Sequence, residues 1–180
     1  MERTVLSGAL LGLGVAAFVD ETVFHQLLHW HHFYDKSTNA VGLVSDGIFH
    51  AFSWFATVAA LFLLADVRRR RVFVARRWWG GLLAAAGAFQ LYDGTIQHKL
   101  LGLHQIRYHV DVTPYDWAWN VIAVALIAVG ATLLITARRR PARAADGSAG
   151  GGADGSAAGG AAGSAAGGAA GSAAGGSAAR

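Results

Sequence analysis

Four apolar stretches divide this chain, at about Thr4–Leu28, Val44–Asp66, Trp78–Leu103 and Tyr115–Ala137. Each is on the order of 20 residues, and a helix of that length matches a hydrocarbon core of ~30 Å. Charged residues are only 14% of the 180, and mean hydropathy is +0.38. A soluble domain carries about 25% charge, so the apolar runs read as membrane spans rather than as a soluble core. The expected fold is all-α: four transmembrane helices in a bundle over residues 1–140. The first run lacks a small-residue cleavage site and continues through Asp20 and Glu21, which predicts a span rather than a signal peptide. Residues 141–180 are Gly, Ala and Ser in near-repeats, which cannot bury a core and predict a disordered cytoplasmic tail.

Arginines fix the expected orientation. Six lie between Arg68 and Arg77, and Arg138, Arg139, Arg140 and Arg143 follow the fourth run. The two groups must share a side, and the positive-inside rule makes it cytoplasmic. This predicts a multi-pass protein of the plasma (inner) membrane with both termini inside. The net charge of +4 thus reads as topology signals beside apolar runs, with the lipid bilayer as partner and no nucleic acid. The loops around 29–43 and 104–114 then face outward and hold His29, His31, His32, His104 and His109. Small residues (Gly8, Gly12, Gly14, Gly80, Gly81, Gly87) would let such a bundle pack against a second copy or another membrane protein.

At the end of the first run stands DETVFHQLLHWHHFYD, Asp20 to Asp35, with four of the chain's eight histidines. It belongs to an internal duplication. At an offset of 73 residues, Asp20 falls on Asp93, Thr22 on Thr95, His25 on His98 and His31 on His104. Gly8 and Gly14 fall on Gly81 and Gly87, and positions 7–31 hold nine identities in 25. The second and fourth runs echo each other at another offset, Asp46-x3-His50 against Asp116-x3-Asn120. Two tandem helical hairpins follow, related by a pseudo-two-fold axis along the membrane normal. Such an axis would gather the polar groups in one outer layer.

Ionisable groups are costly in or beside a bilayer, so the layer needs a reason. There is no cysteine, which removes disulfides, iron–sulfur clusters and thiolate zinc; Met1 is the only methionine, which disfavours a Cu(I) thioether site. Sets of His and Asp without sulfur suit Zn, Fe, Mn or Cu(II). The expected ligands are Asp20, His25, Asp46, His50, Asp93 and His98. Glu21, His31, Gln97, His104, Asp116 and Asn120 are expected around them or along the entry. At 100° per residue, Glu21, His25, His29 and His32 fall within about 80° of one another on one helical face. His50 and His98, on neighbouring helices, leave non-covalent haem as a lesser option. The alternatives to a metal-binding protein are two. One is a metal-dependent membrane enzyme acting on a lipid or periplasmic substrate. The other is a structural assembly partner whose polar layer only fixes helix register.

The strings DETVFHQLLHWHHFYD, GLVSDGIFH, GAFQLYDGTIQHKLLGLHQIRY and YDWAWN resemble the prokaryotic membrane-protein family catalogued as domain of unknown function 2243, over about residues 5–137. The resemblance implies a four-helix integral membrane protein of uncharacterised function. A loose association of its relatives with respiratory oxidase assembly would favour copper or haem handling.

Overall fold

The computed structural model describes residues 2–138; the Gly/Ala/Ser tail lies outside the described residues. Within them the chain is all-helical. Helix α1 is Arg3–Asp20, α2 is Asn39–Arg69, α3 is Ala75–Tyr92 and α4 is Thr113–Arg138. Two π-helical segments extend the odd-numbered helices: π1, Glu21–Leu27, continues α1, and π2, Asp93–Leu100, continues α3. Arg3–Leu27, Asn39–Arg69 and Thr113–Arg138 are each long and apolar enough to cross a membrane. The third helix, residues 75–100, carries Gln90, Asp93, Gln97, His98 and Lys99. It packs between α1 and α4, so that burial against protein takes the place of lipid for most of these groups.

The helices pack in the order α2, α1, α3, α4. Small residues let the backbones approach, because helices in lipid gain little from apolar contact alone and associate through close packing. A methyl group on Gly8 would strike the carbonyl of Trp78, and one on Gly81 would lie 2.5 Å from that of Val5. These equivalent glycines face each other's helix across α1/α3, at the axis. Gly14 packs on Ser53 and Thr57 of α2, and its equivalent Gly87 packs on Ala123 and Ile127 of α4. The duplication thus reappears as packing: one pair of glycines joins the halves, the other joins each half internally. The buried face of α2 runs Gly42, Asp46, Phe49, Ser53, Ala56, Ala60 and Val67, steps of three, four and seven that mark one helical stripe. At the arginine end, Arg3 pairs with Asp66 at 2.8 Å, and Arg77 pairs with Glu2.

The single helical face expected for Glu21, His25, His29 and His32 does not form. The α-helix gives way to π1 at Glu21, where Leu28 N–H bonds the Val23 carbonyl, five residues back, at 2.9 Å. His29 then turns the chain at φ +49°, and His32 lies in the loop beyond. The second half repeats each step. Leu101 N–H bonds Ile96 O at 2.8 Å, and Gly102, equivalent to His29, has φ +54°. Left-handed residues commonly close helices in this way, and glycine adopts the conformation without strain.

A candidate metal centre

The two π segments and the loops after them bring four histidines together. His25 and His98 come from π1 and π2, and His31 and His104 from the loops. His31 and His104 stack face to face, with ring centroids 4.5 Å apart and planes within 4°. His25 stands edge-on to His31 at 4.5 Å, and His98 edge-on to His104 at 4.7 Å. Both diagonals, His25 to His104 and His31 to His98, are 6.0 Å. The pseudo-two-fold therefore passes through the His31/His104 stack. Phe49 walls His25, and Trp119, at the matching place in α4, walls His98. All four histidines are buried, as are Asp20, Glu21, Asp46 and Asp93.

Hydrogen bonds aim the rings. His31 Nδ1–H donates to the Ile106 carbonyl at 3.0 Å, and His104 Nδ1–H donates to the Phe33 carbonyl at 2.9 Å. Ile106 and Phe33 are themselves 73 residues apart, so each half holds the other half's histidine. With Nδ1 donating, Nε2 carries a bare lone pair, and Nε2 of both rings is buried without a hydrogen-bond partner. A backbone carbonyl that orients a ring while its other nitrogen stays free is the arrangement of metal-bound histidines. Burial, followed by the neighbouring imidazoles of His104, His25 and His98, pushes His31 down to about 2, so it remains a neutral donor at physiological pH.

His98 Nε2 lies 3.1 Å from Asp93 Oδ2, and His104 Nε2 3.6 Å from Asp93 Oδ1, yet neither nitrogen is aligned for a hydrogen bond. His31, His98 and His104 offer nitrogens that all lie within 4.8 Å of one another. Glu21, His25 and Asp46 form a second such group. There His25 Nδ1 lies 3.1 Å from Asp46 Oδ1 and 2.9 Å from Glu21 Oε2, and the latter oxygen is buried without a hydrogen bond. His25 Nε2 faces Asp20 Oδ2 at 3.8 Å. Asp46 also accepts from His32 Nδ1 at 2.6 Å and from the Phe33 backbone N–H at 2.7 Å. That hydrogen bond holds the His32 proton, raising its pKa above the ordinary histidine value.

Of the six residues expected as ligands, five are gathered here: Asp20, His25, Asp46, Asp93 and His98. His50 is not. It sits half-buried on the flank of α2 against Phe18, at 5.5 Å, because the inward stripe of α2 runs through Asp46, Phe49 and Ser53. The His50/His98 pair considered for haem is therefore not assembled. Of the residues expected around the ligands, Glu21, His31 and His104 stand inside the cluster, and Gln97 Nε2 donates to Asp93 Oδ1 at 2.9 Å. Asp116 pairs with Lys99 at 2.6 Å, and Asn120 donates to the Asp116 carbonyl. His29 and His109 are exposed. Sequence reasoning missed the two carbonyls that aim the rings and the Phe49/Trp119 walls; the latter share the 70-residue offset of Asp46 and Asp116 and were open to discovery by it.

The family model described as a predicted membrane protein, domain of unknown function 2243, matches residues 7–137. The chain belongs to this family. The match spans both repeats and the whole cluster. No curated protein and no solved structure matches the chain.

Proposed function

We propose that this membrane protein binds metal, with two divalent transition ions held side by side in the buried cluster. His31, His98 and His104, with Asp93 beside them, would hold one ion; Glu21, His25 and Asp46 would hold the other. The observation that carries this reading is the pair of aimed, buried, unpartnered Nε2 atoms of His31 and His104, each oriented by a carbonyl from the opposite half. Charge supports it as well. Four buried carboxylates, Asp20, Glu21, Asp46 and Asp93, stand among histidines, and two divalent cations would neutralise them. At the second site an ion would replace the proton that His25 Nδ1 now donates to Asp46. Nitrogen and carboxylate donors without sulfur suit Zn, Mn, Fe or Cu(II).

The positive-inside rule places the arginine end, and so both termini, in the cytoplasm, with the cluster toward the opposite face of the plasma membrane. Ions held by these residues would supply Lewis acidity and could activate a water, which makes a metalloenzyme the second reading. The link to respiratory oxidase assembly implied by the family resemblance has no counterpart in the geometry.

The test is metal-dependent stability of detergent-purified protein. Chelation is expected to lower the melting temperature by several degrees and re-addition of one ion among Zn, Mn, Fe and Cu to restore it, since a ligand that binds only the folded state stabilises it. Melting that responds to neither treatment removes the proposal.

A further inference from the structure

Two apolar grooves flank the cluster, and the pseudo-two-fold relates them. One, of about 420 Å³, lies between α1 and α4 and is lined by Val15, Val19, Asp20, Phe24, Trp119 and Ile122. The other, of about 690 Å³, lies between α2 and α3 and is lined by Phe49, Phe52, Ala88, Tyr92 and Gln97. Val15, Val19 and Phe24 correspond to Ala88, Tyr92 and Gln97, and Trp119 and Ile122 to Phe49 and Phe52. Volume alone favours the α2/α3 groove, but the polar ends differ. There Gln97 donates to Asp93 and covers the carboxylate. In the α1/α4 groove the equivalent residue is Phe24, which has nothing to donate. Asp20 is only 4% exposed, lines this groove and accepts no hydrogen bond among the described residues. A buried carboxylate without a donor, at the end of an apolar channel, is costly unless something supplies one.

We infer that the α1/α4 groove binds a long-chain lipid with a hydroxyl head, whose chain lies along α1 and α4 and whose O–H donates to Asp20. The groove runs from Gly12 to Phe24, ~18 Å along α1, long enough for an extended chain. Apart from Asp20 and Gln90 its lining is apolar or aromatic and carries no cation or second carboxylate, so a neutral donor suits it better than a charged head. Membrane alcohols and quinols share this chemistry. The inference names the substrate class of the proposed centre. It rests on that reading for any reaction but not for binding, because Asp20 and Phe24 shape the groove with or without metal.

The experiment is photolabelling in nanodiscs with a diazirine-bearing hexadecanol, followed by peptide mapping. The α2/α3 groove serves as the internal control. Label is expected on α1 and α4, around Val15, Val19 and Ile122, at several times the level on Phe52 and Ala88. Excess hexadecanol or a decyl quinol should each suppress it, and the stronger competitor identifies the source; hexadecane should not suppress it. Phe24→Gln, which supplies Asp20 with the donor that Asp93 already has, is expected to reduce labelling by about tenfold. Should that variant not fold, Ile122→Trp at the mouth replaces it, with the same expected loss. Equal labelling of both grooves, or competition by hexadecane as strong as by hexadecanol, overturns the inference. Labelling is read on both chelated and metal-loaded protein. Selective label on a protein that takes up no added metal would refute the metal proposal alone, and metal uptake without selective label in either form would refute the lipid site alone.

Discussion

His25 and His98 occupy equivalent places, yet their Nδ1 atoms meet different surroundings. Around His25, Glu21 and Asp46 close in at 2.9 and 3.1 Å. Around His98, Gly94 stands where Glu21 stands, and the α4 counterpart of Asp46, Asp116, is drawn to Lys99 at 2.6 Å. His98 Nδ1 is left buried without a partner. The four histidines on the axis keep both ring packing and identity, Asp20 and Asp93 keep identity but not their hydrogen-bond partners, and the shell behind them has diverged. The first half thus has a carboxylate-rich site of its own, and the second half contributes to the site on the axis.

This difference is broken most directly at the paired aspartates. Asp46→Ala removes the acceptor of His25 Nδ1, His32 Nδ1 and the Phe33 N–H at once. Loss of a buried, multiply bonded charge is expected to cost about 3–5 kcal/mol. Asp116→Ala gives up one pair with a lysine that is 41% exposed, worth ~1 kcal/mol or less. Unfolding of both variants in one detergent checks this, and equal losses would contradict the asymmetry. Next come the glycines, where the halves should instead behave alike. Gly14→Leu and Gly87→Leu should each cost about 1–3 kcal/mol or more by overpacking against α2 and α4. Gly47→Ala, with open space around it, should gain ~0.5–1 kcal/mol from helix propensity, read in the same unfolding assay.

An effect of similar size is expected at the turn. His29 holds the left-handed conformation that Gly102 holds in the other half, at a cost of about 1 kcal/mol. His29→Gly should recover about that much, seen as a raised melting temperature, and leave metal content unchanged. The metal-free protein should also respond to pH. His31 is buried neutral, with its pKa lowered to about 2, against about 6.5 unfolded. The unfolded chain therefore binds the extra proton, and the stability contribution present above about pH 6.5 is lost progressively as pH falls. His31→Gln should flatten the fall in melting temperature between about pH 6.5 and pH 4.

The bundle, its helix count and its duplication were legible because they rest on runs of apolar residues and on identities such as Asp20/Asp93 and His31/His104. The local geometry of the site was not. Over seven residues, a π segment and an α-helix carry the same apolar pattern, so π1 and π2 leave no mark in the sequence. α-Helical angles continued past Asp20 put His29 and His32 beside His25, where the π segment and the turn at His29 do not. Only the loops folding back, each tied by a carbonyl of the other half, bring the His31 and His104 rings to the axis. His50 shows the converse limit. Its i, i+4 spacing from Asp46 is real, but the inward stripe of α2 passes through Phe49 and Ser53 and leaves His50 to the side.

The central claim is a metal centre shared by the two halves, and elemental analysis of detergent-purified protein tests it most directly. The expected result is about two transition ions per chain, falling to about one in the His31→Ala/His104→Ala variant and unchanged in His50→Ala. Absence of stoichiometric metal from the folded wild-type protein, after supplementation with zinc, manganese, iron and copper in turn, would contradict it.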